Sequence, residues 1–496
     1  MPMRVAMLSA ECEPWAKTGG LADVVDALAR ALGRLSGEAV ETPVDVFLPR
    51  YRIVPEPQAI ERTQVLSVPD PVSETGVAEV TILDVPADGY RLRLVDHPAA
   101  FDRDGFYGDA SGDFPDNAWR FGLFCRAALE ALRTDGRPLD VLHLHDWHTG
   151  PAAVQRDTAY ASDSIIGRAA ILLTLHNLAY HGWTPRADLG QLGLEPGDGV
   201  IDKDAYGIDL LAAGIERAEL VNTVSPGFAK EALTAEFGMG LDGALKAKRD
   251  RFIGILNGLD TEVWDPATDA DTAAPFSLAD RSGKAACRAD LLRRIGFDAD
   301  DPGLVIGMIG RLDPQKGFDL LEAATPALLE RGVRLVVQGS GHPSLADPFR
   351  GIAHARPDRV AFIERFDRVM ARRIYAGADC FAMPSRFEPC GQGQMIALRY
   401  GTPPIVRWTG GLRDSVLDEI ATPGHGTGFA FTDATPAALA TAVEEALERF
   451  DARASGPTGW DAIVDRGMAV DFDWLTGSAP AYLAAYRCAL DIRRAG

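Results

Sequence analysis

The chain has 496 residues, 47% hydrophobic and 24% charged, with 71 acidic against 50 basic side chains and a net charge of −21. That length suits two or three α/β domains of about 150–250 residues each, which can bury a core without cross-links. The acidic balance argues against a nucleic-acid backbone or an anionic membrane surface as partner; it is compatible with a neutral polymer such as a polysaccharide.

In chain order, short Val/Ile/Leu-rich runs alternate with helical patterns. The first apolar run, Arg4–Ser9, is too short for a signal peptide and reads as a buried strand. Further strands are expected at Val44–Leu48, Val80–Val85, Arg91–Val95, Val141–His145, Ala170–Leu175 and Leu220–Val224, with helices at Gly20–Leu32, Asn117–Leu132 and Pro226–Phe237. A turn-rich stretch follows Asn257-Gly258-Leu259-Asp260 to about Ser282 and marks a boundary. Beyond it, strands are expected at Leu304–Ile309, Arg334–Gln338, Val360–Ile363, Cys380–Met383 and Pro404–Val406. Helices fit Gly317–Glu330, Arg368–Tyr375, Gln392–Tyr400, Pro436–Phe450 and Ser478–Arg494. Continuous apolar strands between helices indicate parallel sheets covered on both faces. No run of about 18 apolar residues is present, so no membrane span is expected. The six cysteines form no Cys-x-x-Cys pair, which indicates a reduced, cytoplasmic setting with neither disulfides nor a zinc site.

Three loops at strand ends carry candidate chemistry. Lys17-Thr18-Gly19-Gly20-Leu21 opens the first helix. Its glycines let backbone approach a ligand, and its lysine and free N–H groups suit a phosphate or a sugar hydroxyl. Gly310-Arg311-Leu312-Asp313-Pro314-Gln315-Lys316-Gly317 places two cations at the mouth of a strand, a clamp for a diphosphate. Ser385-Arg386-Phe387-Glu388-Pro389-Cys390-Gly391-Gln392-Gly393 sets Glu388 at a strand's C-terminal end, where α/β sheets bind ligands, followed by amides that would face an anion. His143-Leu144-His145-Asp146-Trp147-His148 lacks the further ligands a metal needs and reads as a sugar contact, as does His176-Asn177-Leu178-Ala179-Tyr180. Thr18-Gly19-Gly20-Leu21-Ala22-Asp23 is echoed by Thr409-Gly410-Gly411-Leu412-Arg413-Asp414, which hints at two similarly built halves. A Gly-x-Gly-x-x-Gly after the first strand, a nucleophile elbow and a Walker lysine are all missing, so a nicotinamide cofactor is disfavoured.

Taken in order, these motifs resemble the bacterial glycogen synthase and plant starch synthase family, glycosyltransferase family 5. To those above add Asp116-Asn117-x-x-Arg120-Phe121, Thr223-Val224-Ser225-Pro226, Glu236-Phe237-Gly238, Arg407–Leu412 and Asp471-Phe472-Asp473-Trp474. The resemblance covers nearly the whole chain. It implies a B-type glycosyltransferase fold: two Rossmann-like domains (1–257 and 258–477) with parallel sheets facing across a cleft, and a C-terminal helix (478–496) crossing back to the first. It implies a retaining, metal-free and cofactor-free transfer of glucose from ADP-glucose to the end of an α-1,4-glucan, the Lys-Thr-Gly-Gly-Leu form suggesting ADP-glucose over UDP-glucose. It further implies that Lys17, Arg311 and Lys316 bind the diphosphate with Gly19, Gly20, Gly391 and Gln392. Glu388 would hold the glucosyl ring, and His145 would lie beside the reacting sugar with Asp116, Asn177 and Asn257 near it. Cys390, Thr409 and Gly410 would line the donor pocket. The alternatives are another nucleotide-sugar transferase of the same fold with a different acceptor, and a weakly catalytic glucan-binding protein; oligomeric state stays open. The chain departs from the family pattern at Asp26, Ala212, Gln392, Gly393 and Ile396.

Overall fold

The computed structural model describes residues 2–35, 39–109, 112–194, 207–452 and 456–495. It divides into two compact units. The first comprises Met1–Val224, Ala229–Gly258 and Trp474–Gly496; the second comprises Ser225–Phe228 and Leu259–Asp473. The first boundary thus falls one residue beyond the expected 257. The returning segment starts at Trp474 rather than 478, and the short Ser225–Phe228 turn groups with the later half.

The first unit is built on nine strands: β1 (Val5–Leu8), β2 (Val44–Pro49), β3 (Arg62–Pro69), β4 (Val77–Pro86), β5 (Tyr90–Asp96), β6 (Val141–His145), β7 (Ala170–Leu175), β8 (Leu220–Thr223) and β9 (Phe252–Gly254). Their order is β9-β8-β7-β6-β1-β2-β5-β4-β3. From β9 to β5 neighbouring strands run parallel, and the strands of this stretch that are buried end to end read as near-continuous apolar runs, unbroken in β1 and interrupted only by Asp45 in β2 and Thr174 in β7. The expectation of a purely parallel sheet fails at one edge, where β3 and β4 form an antiparallel hairpin on β5. β3 went unpredicted because only Leu66 and Val68 of it are buried, so no continuous apolar run marks it. The helix expected over Pro226–Phe237 stops at Glu231, where a turn closed by Gly238 N–H on the Thr234 carbonyl takes over.

The second unit carries six parallel strands: β10 (Val305–Leu312), β11 (Arg334–Gly341), β12 (Val360–Ile363), β13 (Cys380–Met383), β14 (Pro404–Arg407) and β15 (Phe429–Phe431), ordered β12-β11-β10-β13-β14-β15. Its core joins Ile306, Met308, Leu335, Val337 and Ile405 to Leu321, Leu328, Val443 and Phe450 of the covering helices.

In both sheets the first strand is internal, and the chain fills one side of it before crossing to the other. The strand order therefore reverses between β1 and β6 in the first unit and between β10 and β13 in the second. Loops leaving the C-terminal ends of such paired strands form the crevice where open α/β sheets bind ligands. Lys17–Gly20 and Asp146–His148 leave the first pair; Asp313–Gly317 and Pro384–Gln392 leave the second. The topological counterpart of Lys17–Gly20 is thus the loop after β10, not Thr409–Asp414, which follows the fifth strand of its sheet. The sequence echo marks two helix starts of different place in the fold.

Candidate active site

In the first unit, Gly20 opens the helix Gly20–Arg34 and the loop before it folds around a residue not singled out from sequence, Glu11. This buried carboxylate accepts from Thr18 N–H (2.6 Å), Thr18 Oγ1–H (2.5 Å), Gly19 N–H (3.1 Å) and Tyr107 O–H (2.6 Å). The loop is held from beneath while Gly19 and Gly20 stay exposed, and a Cβ added to either would meet nothing within 4 Å. Their lack of side chains leaves an open approach to backbone rather than filling a packing need. Lys17 is not a loose ammonium: its Nζ lies 2.6 Å from Asp23 and 3.5 Å from Glu13, so an incoming phosphate would have to draw it from these carboxylates.

At the end of β6, His145 departs from expectation. Its ring is fully enclosed and presents no face to solvent. It contacts two other imidazoles: Nδ1 is 3.0 Å from Nε2 of His176, and the ring centroid is 4.1 Å from that of His143. His176, at the end of β7, is the half-buried member that reaches the open side. Burial pushes His143 and His176 down to about 3, so both are neutral. Asp146 holds His176 from the other side, its Oδ1 accepting the His176 N–H at 2.7 Å. Asp146 adopts a left-handed φ of 56°, rare for a non-glycine residue, and burial pushes its carboxyl up to about 7. Half-buried Asn177 accepts the Ala179 N–H at 3.0 Å, shaping its own turn.

Two expected neighbours sit apart in their bonding. Asp116 is gripped by Arg103 through both oxygens at 2.7 and 2.6 Å. Burial works to raise its pKa, but Arg103 outweighs it and keeps the carboxyl below the usual carboxylate range. Asn257 is buried, with an Oδ1 that finds no partner among the described residues.

In the second unit, β10 and β13 bring Lys316 and Glu388 together. Nζ of Lys316 is 2.7 Å from Glu388 Oε2, which also accepts the Ser385 hydroxyl at 3.0 Å. The pair is held by Gly317, whose φ of 71° turns the chain into the next helix, and by Gln315, which donates to the Phe387 carbonyl at 3.1 Å. Arg311 lies exposed near the end of β10 and meets no carboxylate among the described residues. The N–H groups of Gly391, Gln392 and Gly393 find no acceptor among the described residues, as expected where a helix begins. Cys390 is buried beneath them, and Gln394 Nε2 ties the loop together through the Cys390 and Gly391 carbonyls and Ser415 Oγ. Thr409 and Gly410 are also buried and do not line an open surface. Their segment acts as a brace: Gly411 N–H donates to the Glu388 carbonyl at 3.0 Å, and a Cβ on Gly411 would strike the Cys390 backbone.

Among the described residues, no cluster of three His, Cys, Asp or Glu side chains is placed to hold a metal ion, and no helix is long and apolar enough to cross a membrane. Glu11 is not singled out from sequence; Asp146, His176 and Ser385 lie inside motifs read there without individual roles, and Gln394 closes the last of them. Glu11 and Asp146 work through partners distant in the chain, whereas Ser385 and Gln394 act mainly within their own glycine-punctuated loop.

Comparison with known proteins bears on this arrangement. The family model described as starch synthase catalytic domain matches residues 4–247, and that described as glycosyl transferases group 1 matches residues 303–449. A protein named glycogen synthase from Syntrophotalea carbinolica is 38% identical over 99% of this chain and 100% of its own length. Another of that name, from an Anaeromyxobacter species, is 43% identical over 98% of this chain and 99% of its own. The solved catalytic domain of starch synthase IV from Arabidopsis thaliana, bound to ADP and acarbose, superposes with a TM-score of 0.86 at 34% identity, covering 99% of this chain and 100% of that one. Sucrose-phosphate synthase from Thermosynechococcus elongatus, at 19% identity and a TM-score of 0.59, shares the fold.

Proposed function

The chain belongs to the glycogen and starch synthase family of glycosyltransferases, and on that premise we propose that it transfers glucose from ADP-glucose to the non-reducing end of an α-1,4-glucan with retention at the anomeric carbon. The observation that carries the reading is the Lys316–Glu388 pair at 2.7 Å on the strand-order reversal of the second unit, with the exposed Arg311 near the end of β10 and, after Cys390, N–H groups that find no acceptor among the described residues.

The chemistry follows from charge. As the glucosidic bond to the diphosphate breaks, negative charge grows on the leaving oxygen and positive charge on the sugar ring. Arg311, Lys316 and the Gln392 and Gly393 amides stabilise the first; groups fixed before the reaction do so without reorganising, and each is worth about 10²–10³ in rate. Lys17 is assigned a further positive charge for the donor's phosphates. Glu388, fixed through one oxygen by Lys316 and Ser385, keeps the other for the glucosyl ring, where a carboxylate favours the oxocarbenium-like centre. His176, with Asn177 beside it, supplies a neutral hydrogen-bonding group to a sugar hydroxyl. ADP as leaving group fits with a relative that is solved bound to ADP.

The test is a donor panel, ADP-glucose against UDP-glucose, with and without glycogen, followed by linkage analysis. ADP release that depends on added glucan, yielding α-1,4 links, is the expected result. Equal turnover without glucan would sink the synthase reading, and faster turnover of UDP-glucose would overturn the donor assignment.

A further inference from the structure

The imidazoles of the first unit belong to a polar network between the sheet and the C-terminal helix, and its ends fix its proton positions. Thr174 Oγ1 lies 2.7 Å from Asn222 Oδ1, which can only accept, so the threonine proton is used there. Thr174 must then accept from His143 Nε2, also at 2.7 Å, which places the His143 proton on Nε2. The bare Nδ1 of His143 in turn accepts from Tyr486 O–H at 2.9 Å. Asn222 Nδ2 completes the circuit by donating to Tyr482 O–H at 3.3 Å. Both tyrosines lie on the C-terminal helix Ala479–Ala495 and are fully buried. His143 is thereby neutral, with both nitrogens engaged, and has nothing left to offer its neighbour.

That neighbour is His145. Its Nε2 is buried and without a partner among the described residues, while its Nδ1 faces His176 Nε2 at 3.0 Å. One proton lies between the two rings. If His176 gave it, the proton of His145 would sit on Nε2 as a buried donor with no acceptor, the kind of orphan that folded proteins avoid most. If His145 gives it, only a lone pair is stranded, and His176, whose ring is half-buried, carries its own proton on Nδ1, the nitrogen turned away from His145.

We infer that His145 is a positioning residue that fixes His176 as the Nδ1–H tautomer, so that the group presented to the sugar is a hydrogen-bond donor of defined direction. The inference rests on the proposed function for the identity of the sugar, but not for the tautomer. Free imidazoles favour Nε2–H, so the assigned form is the unusual one and is diagnostic.

Long-range ¹H–¹⁵N correlation spectra of the full chain with ¹⁵N-labelled histidine, assigned with His145→Asn and His176→Gln, decide it. The expected pattern for His176 is Nδ1–H, neutral at pH 7; an Nε2–H pattern or a charged ring overturns the inference, whatever the enzyme's activity. Kinetics supply the second readout. Asparagine carries an amide where histidine carries Nδ1–H, so His145→Asn should keep kcat within about threefold, whereas His145→Leu should lose at least about tenfold in kcat from misplacing His176. Full activity in His145→Leu would overturn the positioning role, as would equal losses in both variants with native circular dichroism. Failure of the synthase reading would appear instead as absent glucan-dependent turnover in the unmutated chain, with the spectra unaffected.

Discussion

Replacing Lys316 by methionine keeps the aliphatic stem and removes only the charge, leaving Glu388 with the Ser385 hydroxyl as its one remaining partner at that oxygen. At 2.7 Å the pair's attraction is about 6 kcal/mol for an effective dielectric of about 20. Most of that offsets the desolvation of the two groups. Breaking a fully buried pair costs about 3–5 kcal/mol; here the Lys316 side chain is 24% exposed against 7% for Glu388, so water can partly replace the ammonium. A loss of about 2–3 kcal/mol is therefore expected for Lys316→Met. Adding Glu388→Gln removes the stranded charge and should restore stability to within about 1 kcal/mol of the parent, so the two changes are non-additive in a double-mutant cycle. Activity should not follow: on the proposed function cation and carboxylate serve different centres of the reaction, so both single variants and the double variant should fall by at least about a hundredfold in kcat. Urea midpoints followed by fluorescence, with glucan-dependent ADP release on the same samples, measure both. A double variant no more stable than Lys316→Met would refute the charge argument, and near-normal turnover in any of the three would refute the placement of the site.

Gly317→Ala should lower stability by at least about 1 kcal/mol and reduce activity with it, because φ is 71° there and an added Cβ would lie on the Pro384 carbonyl, pushing the Lys316 loop from the Glu388 loop; an unchanged urea midpoint would show that the loop yields freely. Acid should destabilise the chain through the buried imidazoles. His143 is fully buried and held down to about 3 against 6.5 when unfolded, so below about pH 6.5 the unfolded chain takes up a proton that the folded one refuses. Its contribution is complete above pH 6.5 and is lost as pH falls toward 3, with a slope of about 1.4 kcal/mol per pH unit; His148 and His176 act in the same sense. His143→Gln should flatten the stability profile by about that slope between pH 6 and 4, and a profile parallel to the parent's would contradict the burial argument.

The parts of the site that could be read from sequence are those made within one strand-to-loop step. Arg311 lies near the end of β10 and Lys316 just after it, and Glu388 follows β13, each flagged by its own glycine and proline punctuation. That Lys316 and Glu388 meet is set by the adjacency of β10 and β13, a property of strand order and not of either motif. The enclosure of His145 has the same root. Strand periodicity puts His143 and His145 on one face, and only the packing of the C-terminal helix over that face decides that both are enclosed while His176, one strand over, is not. Glu11 carries no local sign at all, since its meaning lies in Thr18, Gly19 and Tyr107 closing on it.

The same distinction explains why some departures from the family pattern are absorbed. Asp26 places a carboxylate on the buried side of the first helix, but Arg30 one turn on (2.7 Å) and the Tyr90 hydroxyl (3.0 Å) satisfy it. Ala212 is buried at the start of the helix Leu210–Arg217, its N–H capped by Asp209 at 2.9 Å, so this position packs rather than reaches outward. Ile396 is likewise buried in its short helix. Gln392 and Gly393 differ, because they lie half-buried at the helix start where only backbone N–H groups are needed for an anion. A hydroxyl lost there removes one donor, while the loop itself is kept in place by Gln394 beneath and Gly411 beside it. Substitution at 392 and 393 is therefore expected to tune phosphate affinity without moving Glu388, since the carbonyl of Glu388 is anchored by a backbone bond that no side chain at those positions supplies.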